Sequence, residues 1–143
     1  MIWAVLMAVL SSDSLTTPAV DLNTPTFLQT LRIIHTPPDI IFRGRPYDLT
    51  CFVEFPEDSI RAVTLFIKSN TMAAYREIPL EGNLNLYSFR FYDFQFPGDT
   101  LSYFFTVELK EKLLAMPIND AGKIQPVIRA YIDARDYYQI KPK

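Results

Sequence analysis

Tyr47-Asp48-Leu49-Thr50-Cys51-Phe52-Val53-Glu54-Phe55 changes side-chain character at every step. Leu49, Cys51, Val53 and Phe55 fall on one side of an extended chain, and Asp48, Thr50, Phe52 and Glu54 on the other. Successive residues of a strand point to opposite faces, so this stretch reads as a strand with one face in a core. Pro56-Glu57-Asp58-Ser59 turns the chain. Arg61 to Ser69 repeats the pattern, with Val63, Leu65 and Ile67 against Thr64, Phe66 and Lys68. Further along, Leu101, Tyr103, Phe105 and Val107 are expected inward, with Ser102, Thr106 and Glu108 outward.

Weaker segments fill the gaps. Met72 to Ile78 ends at Pro79 and the Glu81-Gly82-Asn83 turn. Leu86 to Tyr92 sets Tyr87, Phe89 and Phe91 against Ser88, Arg90 and Tyr92, and Pro97-Gly98-Asp99 follows as a turn. Lys110-Glu111-Lys112 leads by a hairpin into Leu113 to Met116, which Pro117 ends. Upstream, Leu31 to Ile34 and Ile40 to Phe42 form one edge strand broken at Pro37-Pro38, because proline cannot donate to a ladder. About seven strands with turn chemistry between them predict an all-β fold, an antiparallel sandwich of two sheets over residues 31–118. Residues 119–143 are a C-terminal extension. From Pro126 to Tyr138, Val127, Ile128, Tyr131, Ala134 and Tyr138 have near-helical spacing, yet the β-branched and aromatic residues suit a strand. Helix and extended tail both stay open.

The first ten residues, Met1 to Leu10, are an apolar run that Ser11-Ser12-Asp13-Ser14 stops. A helix of that length reaches about 15 Å, half a bilayer core. Residues 1–14 are therefore expected to be an export signal, with Ser11, Ser12 and Ser14 as cleavage positions, although no Lys or Arg precedes the run. A retained anchor or partner-binding segment, and a mis-assigned start or buried strand, are the alternatives. No Cys follows the run to serve as a lipid-anchor site. Residues 15–30, with Pro18 and Pro25, read as a linker whose Phe27 and Leu28 approach the domain.

Composition limits the chemistry. The chain has 143 residues, the size of one domain, and its 49% apolar residues are enough for a core. Basic residues number 14 and acidic residues 16, a net charge of −2, which offers no attraction to nucleic acid or an anionic membrane surface. One Cys excludes an internal disulfide framework and a Cys-cluster zinc site, and one His excludes paired-His metal signatures. Cys51 is expected in the core as a small hydrophobe with an inert thiol. His35 is expected to bond to local backbone near its strand rather than act as base or ligand. The carboxylates of Glu54, Glu57, Asp58, Asp93, Asp99, Glu108 and Asp120 are dispersed, lack calcium-loop spacing, and no Gly-rich phosphate loop exists. No cofactor or metal is expected.

A series of phrases is similar to the bacterial immunoglobulin-like and fibronectin type III-like modules of exported proteins. It comprises Ile34-His35-Thr36-Pro37-Pro38, Gly44-Arg45-Pro46-Tyr47-Asp48-Leu49, Ala62 to Ile67, Tyr87, Phe94 to Gly98 and Leu101-Ser102-Tyr103-Phe104. The resemblance covers residues 31–118 and implies binding or spacing duties rather than catalysis. Antibody-type domains join the second and sixth strands by a disulfide. Here Cys51 stands opposite an expected Phe105, and Trp3 lies outside the domain. The resemblance also makes Tyr103 the corner tyrosine, whose hydroxyl bonds back to the chain.

Aromatics on the polar faces are the remaining signal. Phe52, Phe66 and Phe104 lie opposite the core residues of their own strands, and Tyr92, Tyr131, Tyr137 and Tyr138 add to an aromatic exterior. Exposed aromatic area marks interfaces, so these residues are candidate partner contacts. The alternative is that the linker or the C-terminal segment folds over them. Two functions compete. One is a non-catalytic interaction or structural subunit of a cell-envelope or extracellular assembly, exported, touching other proteins, and touching membrane only through a retained N-terminal segment. The other is a carbohydrate-binding module using surface aromatics such as Phe66 and Tyr92.

Overall fold

The computed structural model describes residues 25–140, excepting the side chain of Ile140. The expected export signal, with its alternatives, lies outside the described residues. Ten strands are present: β1 (Ile33–Ile34), β2 (Ile41–Phe42), β3 (Tyr47–Val53), β4 (Ile60–Ser69), β5 (Arg76–Pro79), β6 (Gly82–Asn83), β7 (Leu86–Phe91), β8 (Thr100–Leu109), β9 (Leu113–Met116) and β10 (Val127–Ile132). Among the described residues, the α-helix α1 (Ala134–Ile140) follows them. The fold is all-β, built of two sheets. One sheet runs β1-β3-β7-β6; the other runs β2-β10-β8-β4-β5, with β9 also on β8. All pairings are antiparallel except β2 with β10.

The alternation that predicts the strands also builds the core. Leu49, Cys51, Val53 and Phe91 from the first sheet meet Val63, Leu65, Ile67, Tyr103, Phe105 and Val107 from the second in one apolar cluster. Burying a side chain of this size contributes about 1.5–3 kcal/mol, so these inward rows supply the main driving force. The broken edge strand divides between the sheets. Ile33 and Ile34 pair with β3, the Pro37-Pro38 segment crosses over, and Ile41 and Phe42 pair with β10.

β4 and β8 depart from the expected pattern, because both of their faces are covered. Phe66 and Phe104, expected either to meet a partner or to be covered by the linker or the C-terminal segment of the same chain, are fully buried and stack at 4.8 Å. Phe27, Tyr75, Ile118 and Ile124 of the same chain close over them. The physical reason lies at β8. β9 pairs with residues 105–108 and β10 with residues 100–103, while β4 holds the opposite edge. The two strands therefore take successive halves of one edge, and the connection between them, residues 117–126, lies over the outer face. Its Gly122 carbonyl accepts the Phe27 amide at 2.8 Å, and the Asn119 carbonyl accepts Gln29 Nε2 at 2.7 Å. Gly122 has φ +79°, and a Cβ there would sit 2.8 Å from the Phe27 carbonyl oxygen, so only glycine lets the two segments approach.

The C-terminal stretch combines both expected conformations. Val127–Ile132 is a strand lying between β2 and β8, so it belongs to the sheet rather than to an appended tail. Asp133 then starts the helix, its Oδ1 accepting the Arg135 amide at 2.8 Å, as a helix N-cap does.

Candidate interaction surface

Three connections meet at one end of the molecule. The β2–β3 turn, the β7–β8 connection and the end of β10 that leads into α1 are joined by short polar contacts. Arg43 Nη2 donates to the Gly98 carbonyl at 3.1 Å, the Gly44 amide to Asp93 Oδ1 at 2.9 Å, and the Arg43 amide to the Ile132 carbonyl at 3.0 Å. Gly44 at φ +80° makes that turn, a conformation other residues adopt only with strain. On this scaffold Tyr92 stacks on Phe94 at 5.2 Å, with Phe94 71% exposed. Separately, Phe42 stacks on Tyr138 at 6.3 Å and meets the half-buried Tyr137 edge-on at 5.5 Å, and Tyr138 is 63% exposed. The Arg45 guanidinium lies 4.8 Å over the Phe42 ring, a cation–π contact. Exposed aromatics held by polar turns can take up a partner's apolar or π surface with little ordering cost.

The remaining predicted contacts divide. Phe52 is 38% exposed on the outer face of the first sheet. There it is registered between Ile34 and Leu86, both exposed, in one row across three strands. Leu84, also exposed, sits in the β6–β7 turn and holds φ +53°, an unfavourable value for leucine. Tyr131 is withdrawn from the exterior. Its ring is buried in the shared core, its hydroxyl donates to the Phe96 carbonyl at 2.8 Å, and burial pushes that phenol up to about 12. With Phe66 and Phe104 buried as well, these three are not partner contacts, and sugar stacking on Phe66 is excluded with them. Phe94, Ile34, Leu84 and Leu86 are exposed residues that sequence reasoning passed over, as is the half-buried Phe42. For Ile34 and Leu86 the alternation itself held the signal, since both share parity with outward residues. Phe94 sits in a turn, where alternation carries none.

The single histidine and cysteine are structural. Cys51 has no exposed surface, and burial pushes its thiol up to about 12. His35 reaches further than local backbone: Nδ1 lies 2.6 Å from the Thr50 carbonyl and Nε2 2.7 Å from the Tyr103 hydroxyl. The Tyr103 hydroxyl therefore meets the imidazole rather than the main chain. The hydroxyl anchored on the β7–β8 connection comes from Tyr131 instead. Burial, more than the adverse charge of Arg129, lowers the His35 pKa, while the bond to Thr50 raises it. Among the described residues no three His, Cys, Asp or Glu side chains gather as a metal site would require. Nor is any helix among them long and apolar enough to cross a membrane.

No family model matches the chain, and no curated protein matches it. Among solved structures it is similar to the X-ray structure of the endo-beta-1,4-mannanase from Thermotoga petrophila, with a TM-score of 0.50 and 8% identity. The match covers 71% of this chain and 19% of that enzyme's chain. The likeness is one of fold.

Proposed function

We propose that this chain is an exported, immunoglobulin-like binding domain without chemistry of its own. It serves as a protein–protein interaction or structural subunit of a cell-envelope or extracellular assembly. The observation that carries the reading is two exposed aromatic pairs, Tyr92 with Phe94 in the β7–β8 connection and Tyr137 with Tyr138 in α1, of which Phe94 and Tyr138 are well exposed. The immunoglobulin-like assignment draws support from strand order. A first sheet β1-β3-β7-β6 and a second sheet with β8 between β4 and β10 follow the ABED and CFG arrangement of such domains. Export rests on the apolar Met1–Leu10 run and its Ser-rich ending. The deciding experiment is a pull-down from envelope and extracellular fractions with the full chain and with a Phe94→Ala/Tyr138→Ala double variant. A partner captured by the first and lost by the second, at unchanged folding, supports the reading. Capture of none, or equal capture by both, overturns it.

Carbohydrate binding is the second reading. Its specific support is the exposed Tyr92–Phe94 stack, since a sugar ring can lie against such a face and the Tyr92 hydroxyl offers a polar partner. Glycan-array binding that disappears in Tyr92→Ala would favour it over the first.

A further inference from the structure

His35 stands where the chain leaves the first sheet for the second. It follows β1 directly, and Pro37 and Pro38 come next on the way to β2. A carbonyl oxygen can only accept, so Nδ1 donates to Thr50 of β3, and Nε2 of the neutral ring accepts from the Tyr103 hydroxyl of β8. One imidazole thus spans both sheets, with both nitrogens used. Around it, β8 presents the edges of the Phe105 ring at 4.9 Å and the Tyr103 ring at 5.4 Å. β10 presents Arg129, whose positive charge acts on the imidazole and whose Nε also holds the crossover through the Pro38 carbonyl at 2.8 Å. From β3 the contact is the Thr50 carbonyl, and the ionisable neighbour along that strand is the buried, neutral Cys51 thiol. Among the described residues, no carboxylate acts on the ring.

We propose that the His35 side chain is an acid-sensitive latch, which fastens the β1–β2 crossover to both sheets and releases it when the imidazole takes up a proton. Protonation puts a hydrogen on Nε2, so the Tyr103 hydroxyl must turn to accept, and its own hydrogen loses the acceptor it had. The new cation then sits half-buried near Arg129 with no anion to offset it. Opening returns the ring to water, where it titrates normally. Release therefore consumes a proton, and the opening constant rises by up to about tenfold per pH unit below the ordinary imidazole range. What is freed is the segment that docks Ile33 in the core and completes the exposed Ile34–Phe52–Leu86 row.

The test is amide hydrogen exchange on the full chain from about pH 7.5 to about pH 5, corrected for intrinsic rates. The Glu54 amide, bonded to the Arg32 carbonyl, reports the latch, and the β4–β8 amides serve as controls. Protection at Glu54 should fall with acid, by up to about tenfold per pH unit below the ordinary imidazole range, while the controls hold. In His35→Gln, whose amide can donate and accept without titrating, that pH dependence should vanish. Flat protection in the natural chain, or the same loss in His35→Gln, overturns the proposal. Should His35→Gln not fold, an NMR titration of the natural imidazole decides. A midpoint below the ordinary value of 6.5 sustains the latch, and one at or above it refutes it.

Discussion

Phe66 and Phe94 show how two identical side chains acquire opposite duties. Phe66 has no exposed surface, and truncating it to alanine leaves a cavity between the outer face of β4 and its cover. Phe66→Ala should cost about 3–5 kcal/mol in urea unfolding, whereas Phe94→Ala should shift stability by less than about 0.5 kcal/mol. Cys51 gives a second residue-scale prediction. Its thiol is raised from 9.0 to about 12 in the fold, so its contribution to stability is complete below pH 9 and declines as pH rises from 9 towards 12. Cys51→Ala, though weaker at neutral pH, should lose less stability than the natural chain over that alkaline window, measured by denaturant midpoint against pH. The same thiol should resist a water-soluble thiol reagent near neutral pH until the protein is unfolded.

Single elements were legible to different degrees. β3, β4, β7 and β8 follow from alternation alone, because a one-sided core imposes a period of two on each. What lies on the second face of β4 and β8 does not follow. The cover consists of Phe27, Ile118 and Ile124, distant in sequence from the residues they bury, and no local pattern encodes that meeting. β10 and α1 were ambiguous for a related reason. A six-residue strand that runs straight into a seven-residue helix mixes two periods inside one window. The capping Asp133 between them was the available boundary mark. The cover itself is testable through Gly122→Ala. That substitution combines a left-handed φ with a Cβ 2.8 Å from the Phe27 carbonyl. It should cost about 1–3 kcal/mol and make residues 25–30 the first point of limited proteolysis.

At the scale of the whole molecule, two sheets share one core while their outer surfaces differ in kind. The second sheet is closed over by its own chain, whereas the first leaves Ile34, Phe52 and Leu86 open. The aromatic end belongs to neither face. Its residues come from a turn, a connection and a helix, so strand reading could place Tyr92, Tyr137 and Tyr138 on the exterior but could not gather them. Because β10 is interior to its sheet, a chain ending at residue 118 should fail to fold, seen as loss of dispersed amide resonances and of the cooperative thermal transition.

The one parallel pairing among the described residues, Tyr131 with Ile41 and Ile132 with Phe42, ties the leading segment of the domain beside its trailing one. When opposite ends of the polypeptide are tugged apart, those neighbours slide lengthwise past each other, so their hydrogen bonds rupture together instead of unzipping singly. Load carried through this domain would meet a shear resistance there.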